Sequence, residues 1–253
     1  MIVANLSNIS LHIPIYNYGA LSIKDKFLHF FRENKILREN KIQRNRYIIK
    51  IILNNINLKI NKGDRIGVIG ANGSGKTSLL KIISSVYFPT TGSIILRNQV
   101  TSILDITLGI YGEATGVENI SLRAMILGLD QKKVKEKIHE IIEISGLSEE
   151  VINQPLFTYS SGMAMRLAFA VSMILEPELL VLDEWLAVGD YEFQKTVNKN
   201  LEIFIKKTKA LIFASHDLEQ IKKICNRVII MKEGLIFFDG KPSEAVKIYT
   251  NEK

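Results

Sequence analysis

The chain has 253 residues, of which 47% are hydrophobic and 23% charged. This length and composition predict one large globular domain, or one domain with an inserted piece, with a sizeable core, and they disfavour a wholly disordered chain. The formal net charge of +7 favours an anionic partner, which is a nucleic acid, a membrane surface or a polyanionic small molecule. One cysteine, Cys225, excludes an internal disulfide. Because no apolar run approaches the ~18 residues that span a bilayer and no secretory leader is visible, we expect any membrane-spanning role to belong to another chain.

The predicted elements begin with a strand over residues 1–16, in which Ile9, Leu11 and Ile13 alternate with less apolar residues. Residues 17–47 are irregular. Ser22 is placed there to cap a short helix, and a polar, basic run follows over residues 32–47. We interpret this run as a solvated insertion or, alternatively, as a surface that lies on anionic lipid or on a membrane partner.

From residue 47 onward strands alternate with helices, which predicts an α/β fold with a mainly parallel sheet and helices packed on it. We expect a strand or hairpin over residues 48–60 and strands over residues 65–69, 94–96, 100–104, 179–182, 210–214 and 228–231. The run at 179–182 is wholly apolar, which is typical of a buried parallel strand. We expect helices over residues 77–85, 117–128, 132–145 and 163–175, the third of which ends at Gly146.

The strongest local signal is segment 70–77, which reads GANGSGKT and fits the phosphate-binding pattern G-x-x-x-x-G-K-S/T between a predicted strand and a predicted helix. Its glycines let the backbone fold tightly around a phosphate, and successive N–H groups at the helix start face the anion. Lys76 supplies positive charge to the β- and γ-phosphates, and the Thr77 hydroxyl is suited to coordinate Mg²⁺. The predicted nucleotide-binding residues are Gly70, Ala71, Asn72, Gly73, Ser74, Gly75, Lys76, Thr77 and Ser78.

Acidic and histidine residues follow two further predicted strands. Asp183 and Glu184 come directly after residues 179–182, so we expect them at the carboxyl edge of the sheet, where α/β proteins bind ligands. Asp183 is predicted to hold Mg²⁺, directly or through water, and Glu184 to polarise the attacking water as a general base. His216 follows the strand over residues 210–214, and this location favours a contact with a γ-phosphate over a structural role.

A second candidate anion site lies just before the helix at residues 163–175, where residues 159–163 read YSSGM. Ser160 or Ser161 suits an N-cap, and hydroxyls with a glycine at a helix start also bind anions. Two phosphate-facing helix starts in one chain require either closure of the chain on itself or two chains that face each other.

These segments, in this order and spacing, resemble the ATP-binding subunit of an ATP-binding cassette (ABC) transporter over residues 50–240. Segment 70–77 matches the Walker A loop, 179–184 the Walker B strand with its catalytic glutamate, and 159–163 the signature motif. The resemblance implies a P-loop NTPase fold in a single nucleotide-binding domain over residues 1–253. That domain would combine a mainly parallel core sheet, an antiparallel β subdomain and a helical subdomain over about residues 112–175.

The resemblance also implies a head-to-tail homodimer that sandwiches two ATP molecules. In such a dimer Ser160, Ser161 and Gly162 of one copy would meet the γ-phosphate that Lys76 binds in the other copy. His216 corresponds to the switch histidine of the family, and Asp190 to the aspartate of the loop that contacts the partner copy. The adenine is expected to stack on an aromatic residue before the Walker A loop, and the candidates are Tyr16, which we prefer, and Tyr47.

The sequence departs from the family pattern at three places. The signature is usually LSGGQ, Trp185 stands where proline is usual, and no glutamine occurs over residues 101–118, where the glutamine loop is expected. Asp105, Glu113 or water alone would have to replace that glutamine. These variants, together with RLAFA at 166–170 and the triplets LGI, ATG and ENI within 108–120, are similar to exporters of bacterial cell-surface polysaccharide. Some of those exporters carry a carbohydrate-binding domain after the ATPase, and we expect this chain to lack one.

The function implied by the resemblance is ATP hydrolysis, with Mg²⁺ as cofactor, that drives a separate polytopic permease. The chain is expected to lie peripherally on the cytoplasmic face of the bacterial inner membrane, and the permease to handle most of the lipid-linked, O-antigen-like cargo. One alternative is an ABC ATPase for a drug, lipid or small solute, which the variant signature disfavours. Another is a non-transport cassette that acts on nucleic acid or ribosomes, which the charge of +7 permits. Such proteins typically carry two cassettes or a long coiled-coil insertion, so we expect no nucleic-acid partner.

Overall fold

The computed structural model describes residues 1–16, 47–97, 100–103, 109–184 and 191–251, with the backbone alone at 15–16, 47–48 and 191–198. The predicted insertion therefore lies almost wholly outside the described residues. The described strands are β1 (Ile2–Tyr16), β2 (Tyr47–Asn61), β3 (Arg65–Ile69), β4 (Thr91–Leu96), β5 (Val100–Ile103), β6 (Leu179–Asp183), β7 (Ala210–Ala214), β8 (Arg227–Lys232) and β9 (Leu235–Gly240). The described helices are α1 (Lys76–Ile83), α2 (Gly116–Ile126), α3 (Gln131–Glu136), α4 (Ile138–Ser145), α5 (Glu149–Ile152), α6 (Ser161–Met173), α7 (Tyr191–Lys207), α8 (Leu218–Ile224) and α9 (Pro242–Asn251).

The larger sheet has the strand order β5-β6-β7-β3-β8-β9, in which β9 alone runs antiparallel to its neighbour. This arrangement confirms the predicted parallel sheet. Both faces are buried: in β6, Leu179 and Val181 join the core around α1, whereas Leu180 and Leu182 join the core beneath α6, α7 and α8. The two-sided burial explains why β6 reads as an uninterrupted apolar run.

The smaller sheet has the order β2-β1-β4, and both of its pairings are antiparallel. Residues 48–60, which were predicted as a strand or a hairpin, form part of the single strand β2. Asn8 in β1 and Asn55 in β2 have positive φ angles of 53° and 50°, and the pairing shifts its register near them. The inward side chains of this sheet pack on α1, so α1 lies between the two sheets.

Helices α2 to α6 enclose a third core, built from Ile120, Val134, Ile141, Leu167 and other apolar residues. The prediction of a single helix over residues 132–145 is wrong, because the structure divides this segment into α3 and α4. The N–H group of Lys137 donates to both Lys133 O and Val134 O at 3.1 Å, and this tightened turn ends α3.

Strand β9 and the helices α5, α7, α8 and α9 were not predicted from the sequence. None of the helices in the described part of the chain has the length and apolar character needed to cross a membrane.

Candidate functional site

The loop after β3 turns tightly and leads directly into α1. A Cβ atom at Gly70 would lie 2.4 Å from Met231 O, so only glycine fits at this position. Gly75 occupies the N-cap position of α1 in the left-handed region, and no side chain caps this helix. Since the first N–H groups of a helix have no intrahelical partner, those of α1 are available to an anion. The backbone of this loop therefore suits a phosphate group.

Lys76, the first residue of α1, lies beneath this loop and is 9% exposed. Its Nζ donates to Gly70 O at 2.8 Å and to Ala71 O at 3.1 Å, which leaves one of its three N–H donors for a ligand. Burial lowers the pKa of Lys76, while the negative charges of Asp183 and Glu184 act in the opposite direction. The ammonium group and the two carboxylates thus belong to one electrostatic site.

Three neighbouring strands end at this site. β7 lies between β6 and β3, and its residue Ala214 is paired with Asp183 on one side and with Val68 on the other. Because the three strands are parallel, their carboxyl ends share one edge of the sheet. The structure therefore brings the phosphate loop, the two acids and His216 together, although β3 and β7 are far apart in sequence.

Glu184 has an unusual backbone conformation. Its φ angle is 67°, in the left-handed region, which costs a non-glycine residue about 1 kcal/mol. Its N–H donates to Ala214 O at 2.8 Å, and its side chain is 67% exposed. The carboxylate Oε1 lies 3.6 Å from His216 Nε2. Local strain at a charged residue beside a binding loop is typical of a functional site.

Two predicted metal ligands lie at the same edge. Thr77 is exposed at the second position of α1, and Asp183 is half-buried at the end of β6. Within the residues that the structure describes, no group of three His, Cys, Asp or Glu side chains could hold a metal by itself. Mg²⁺ is commonly bound by one or two carboxylates together with phosphate oxygens and water, so a hydroxyl and one carboxylate fit this ion only when a nucleotide is bound.

The second predicted anion site lies at the start of α6. Ser160, not Ser161, is the N-cap, since the Ser160 hydroxyl accepts a hydrogen bond from the Met163 N–H at 3.2 Å. Ser161 begins the helix and Gly162 follows it. This turn begins a helix that packs on α2, α4 and α7, whereas α1 packs on β2, β6 and β7.

Several predicted residues lie outside the described part of the chain, namely Asp105, Trp185 and Asp190. Tyr16 and Tyr47 face each other at the ends of β1 and β2, but the structure describes only their backbone. Glu113 is described, and it lines a surface groove beside α2 together with Tyr111 and Met125. The roles suggested for these residues stay predictions.

Sequence analysis missed one support of the phosphate loop, which is the turn between β8 and β9. Glu233 and Gly234 form this turn with φ angles of 51° and 78°. The Gly234 N–H donates to Ser74 O at 3.1 Å, and Gly234 O accepts from the Asn54 N–H at 2.9 Å. The turn therefore ties the loop to β2. A signal existed, since a two-residue segment that ends in glycine between two apolar runs indicates a hairpin.

Comparison with known proteins gives consistent results. A family model described as "ABC transporter" matches residues 53–187. The chain is 35% identical to the O-antigen export system ATP-binding protein RfbB of Klebsiella pneumoniae, over 98% of this chain and 97% of that protein. It is 39% identical to the teichoic acids export ATP-binding protein TagH of Bacillus cereus, over 78% of this chain and 36% of that protein.

The fold also matches a solved structure, the ATP-binding cassette MJ0796 in a dimeric post-hydrolysis state bound to ADP and Pi. The TM-score is 0.67 and the identity 18%, over 94% of this chain and 98% of that one. This likeness confirms the predicted nucleotide-binding fold. By its family match and its near end-to-end relatives, the chain belongs to the ABC transporter family, as an ATP-binding subunit that hydrolyses ATP.

Proposed function

We propose that the chain is the ATPase subunit of a transporter that exports lipid-linked, O-antigen-like polysaccharide across the bacterial inner membrane. One observation carries the proposal: the phosphate loop, the pair Asp183 and Glu184, and His216 meet at one sheet edge. A relative named for O-antigen export matches the chain almost end to end, and a relative named for teichoic acid export supports the same class of cargo.

In the proposed reaction, water attacks the γ-phosphorus of ATP, the bond from that phosphorus to the bridging oxygen breaks, and ADP and phosphate are released. The N–H groups at the start of α1 and the Lys76 ammonium bind the phosphates and stabilise the developing charge. Glu184 accepts the proton of the water as general base. His216, whose Nε2 lies near the Glu184 carboxylate, orients that group and contacts the γ-phosphate. Thr77 and Asp183 would hold Mg²⁺, which neutralises phosphate charge when bound.

The rest of the site comes from a second copy of the chain. Ser160, Ser161 and Gly162 of that copy contact the γ-phosphate, and the loop with Asp190 lies at the contact between copies. The cap at the start of α6 supports this arrangement. Because the Ser160 hydroxyl accepts one bond from Met163, it keeps its proton for a phosphate oxygen. ATP therefore closes a homodimer, and this motion drives a polytopic permease that the dimer contacts from the cytoplasmic side.

The test of the enzymatic roles is the Glu184→Gln variant, with Glu244→Gln in the first turn of α9 as a matched control. We expect Glu184→Gln to lower the turnover number at least about 100-fold, because the general base is lost. ATP binding should persist, and ATP should trap a dimer that light scattering detects. Full hydrolysis by Glu184→Gln would refute the role of this residue.

The cargo is tested with the same variants, expressed in cells that lack the chain and need it for surface polysaccharide. Wild type, but not Glu184→Gln, should restore surface polysaccharide and remove lipid-linked polysaccharide from the cytoplasmic side. If Glu184→Gln stopped hydrolysis while surface polysaccharide remained normal, the proposed cargo would be wrong and the ATPase role would stand.

A further inference from the structure

The start of α6 is held by the residue directly before Ser160. Tyr159 is half-buried, and its hydroxyl donates a hydrogen bond to Val151 O at 2.7 Å. Burial raises the pKa of the Tyr159 hydroxyl, so this group remains a protonated donor. Leucine, the usual residue at the first signature position, has no hydroxyl and could not make this bond. The variant signature of this chain thus adds an anchor between the signature turn and α5.

Gly116 makes room for that anchor. A Cβ atom at residue 116 would lie 2.4 Å from Tyr159 Oη and 2.7 Å from Ile152 O. Any other residue would therefore push the hydroxyl or the end of α5 out of place. Gly116 begins α2, and its N–H donates to Gln154 O at 3.2 Å. The tyrosine hydroxyl is consequently enclosed between the start of α2 and the end of α5.

A second contact fixes α6 farther along its length. Arg123 of α2 is 3% exposed, and its Nε donates to Ala168 O at 3.0 Å. Its Nη2 donates to Ser172 Oγ at 3.1 Å. A buried guanidinium that donates to two groups on one neighbouring helix ties the two helices together, because hydrogen bonds from a charged donor are stronger than those between neutral groups. Arg123 thus holds the middle of α6, and Tyr159 holds the residue directly before its first turn.

We propose that Tyr159 is a positioning residue for ATP hydrolysis: its bond to Val151 fixes the direction in which Ser160 and Gly162 meet the γ-phosphate held by a second copy of the chain. The inference rests on the proposed function, because it requires ATP between two copies. Tyr159 bonds to the helical region and not to the phosphate loop. Its removal should therefore weaken the contribution in trans and leave ATP binding within one chain intact.

The test is Tyr159→Phe in the Glu184→Gln background, which removes one hydroxyl and keeps the ring. Three quantities are measured on each variant: the Kd for a fluorescent ATP analogue at low protein concentration, the ATP concentration that gives half-maximal dimer, and the Tm. Arg227→Met in the same background is the control for stability, since Arg227 in β8 bonds to Asp239 in β9, the last strand of the larger sheet.

We expect Tyr159→Phe to leave the Kd of the single chain within twofold of the parent value. The ATP concentration for half-maximal dimer should rise by about fivefold, which corresponds to the free energy of one hydrogen bond. Arg227→Met should lower the Tm at least as much and leave the dimer transition unchanged. An equal ATP concentration for half-maximal dimer in Tyr159→Phe and its parent would overturn this inference but not the proposed function. The same would follow if the Kd of the single chain rose as much as the ATP concentration for half-maximal dimer. If the Glu184→Gln parent formed no ATP-dependent dimer, the proposed function would fail and the inference with it.

Discussion

Gly234 lies outside every motif recognised in the sequence, yet the structure predicts that ATP binding depends on it. A Cβ atom at this position would lie 2.5 Å from Ile52 O and 3.1 Å from Ile52 C, so the turn between β8 and β9 would have to move away from β2. The same glycine donates its N–H to Ser74 O in the phosphate loop. We therefore expect Gly234→Ala to displace the loop.

Gly146, at the end of α4, offers a matched control. Its φ angle of 63° is close to the 78° of Gly234, but a Cβ atom there would meet no atom within 4 Å. The left-handed conformation costs an alanine about 1 kcal/mol at either position. Overpacking against backbone adds about 1–3 kcal/mol at residue 234 alone. Gly146→Ala should thus lower the free energy of unfolding by about 1 kcal/mol and Gly234→Ala by about 2–4 kcal/mol.

Urea denaturation without nucleotide measures both losses, and titration with a fluorescent ATP analogue measures the effect on the loop. Weakening the bond to Ser74 should raise the Kd of Gly234→Ala by about fivefold, whereas Gly146→Ala should bind ATP normally. Equal losses of stability in the two variants would show that the collision with Ile52 is relieved without cost. An unchanged Kd for Gly234→Ala would show that the turn does not support the phosphate loop.

Two further predictions concern stability. Arg227 donates to both Asp239 carboxylate oxygens at 2.6 Å and to Lys59 O at 2.8 Å. Arg227→Met should therefore lower the free energy of unfolding by about 2 kcal/mol and leave the Kd for ATP unchanged. An unchanged free energy of unfolding in urea denaturation would show that these bonds do not stabilise the fold. Burial raises the pKa of the Cys225 thiol from 9.0 to about 12, so the unfolded chain loses this proton first as the pH rises. The contribution of this thiol to the free energy of unfolding is complete below pH ~9 and is lost towards pH ~12. The free energy of unfolding should therefore fall by about 2 kcal/mol between pH 8 and pH 10.5. Urea denaturation at the two pH values measures this loss, which Cys225→Ala should lack.

Local signals in the sequence were sufficient for the phosphate loop and for β6. The glycines and Lys76 carry their chemistry within eight residues, and an apolar run that ends in Asp183 predicts both a buried strand and its location at the sheet edge. The supports of the site could not be predicted in this way. Arg123 and Ala168 are 45 residues apart in sequence, and the contact between Gly116 and Tyr159 arises only when α2 packs beside α5. Such contacts depend on tertiary packing, which no periodicity records.

The strand order also explains how the acid at the centre of the site is held. Asp183 still belongs to β6 and follows its pairing with Ala214, but Glu184 leaves the strand in a left-handed conformation. Its N–H donates to the carbonyl oxygen of Ala214, and Ala214 is the last residue of β7, before the segment that carries His216. A strained conformation persists only where its surroundings impose it, and here the imposing group belongs to the neighbouring strand. The backbone of Glu184 is therefore held by β7 as well as by β6, so a shift of β7 would move the residue to which we assign the role of general base.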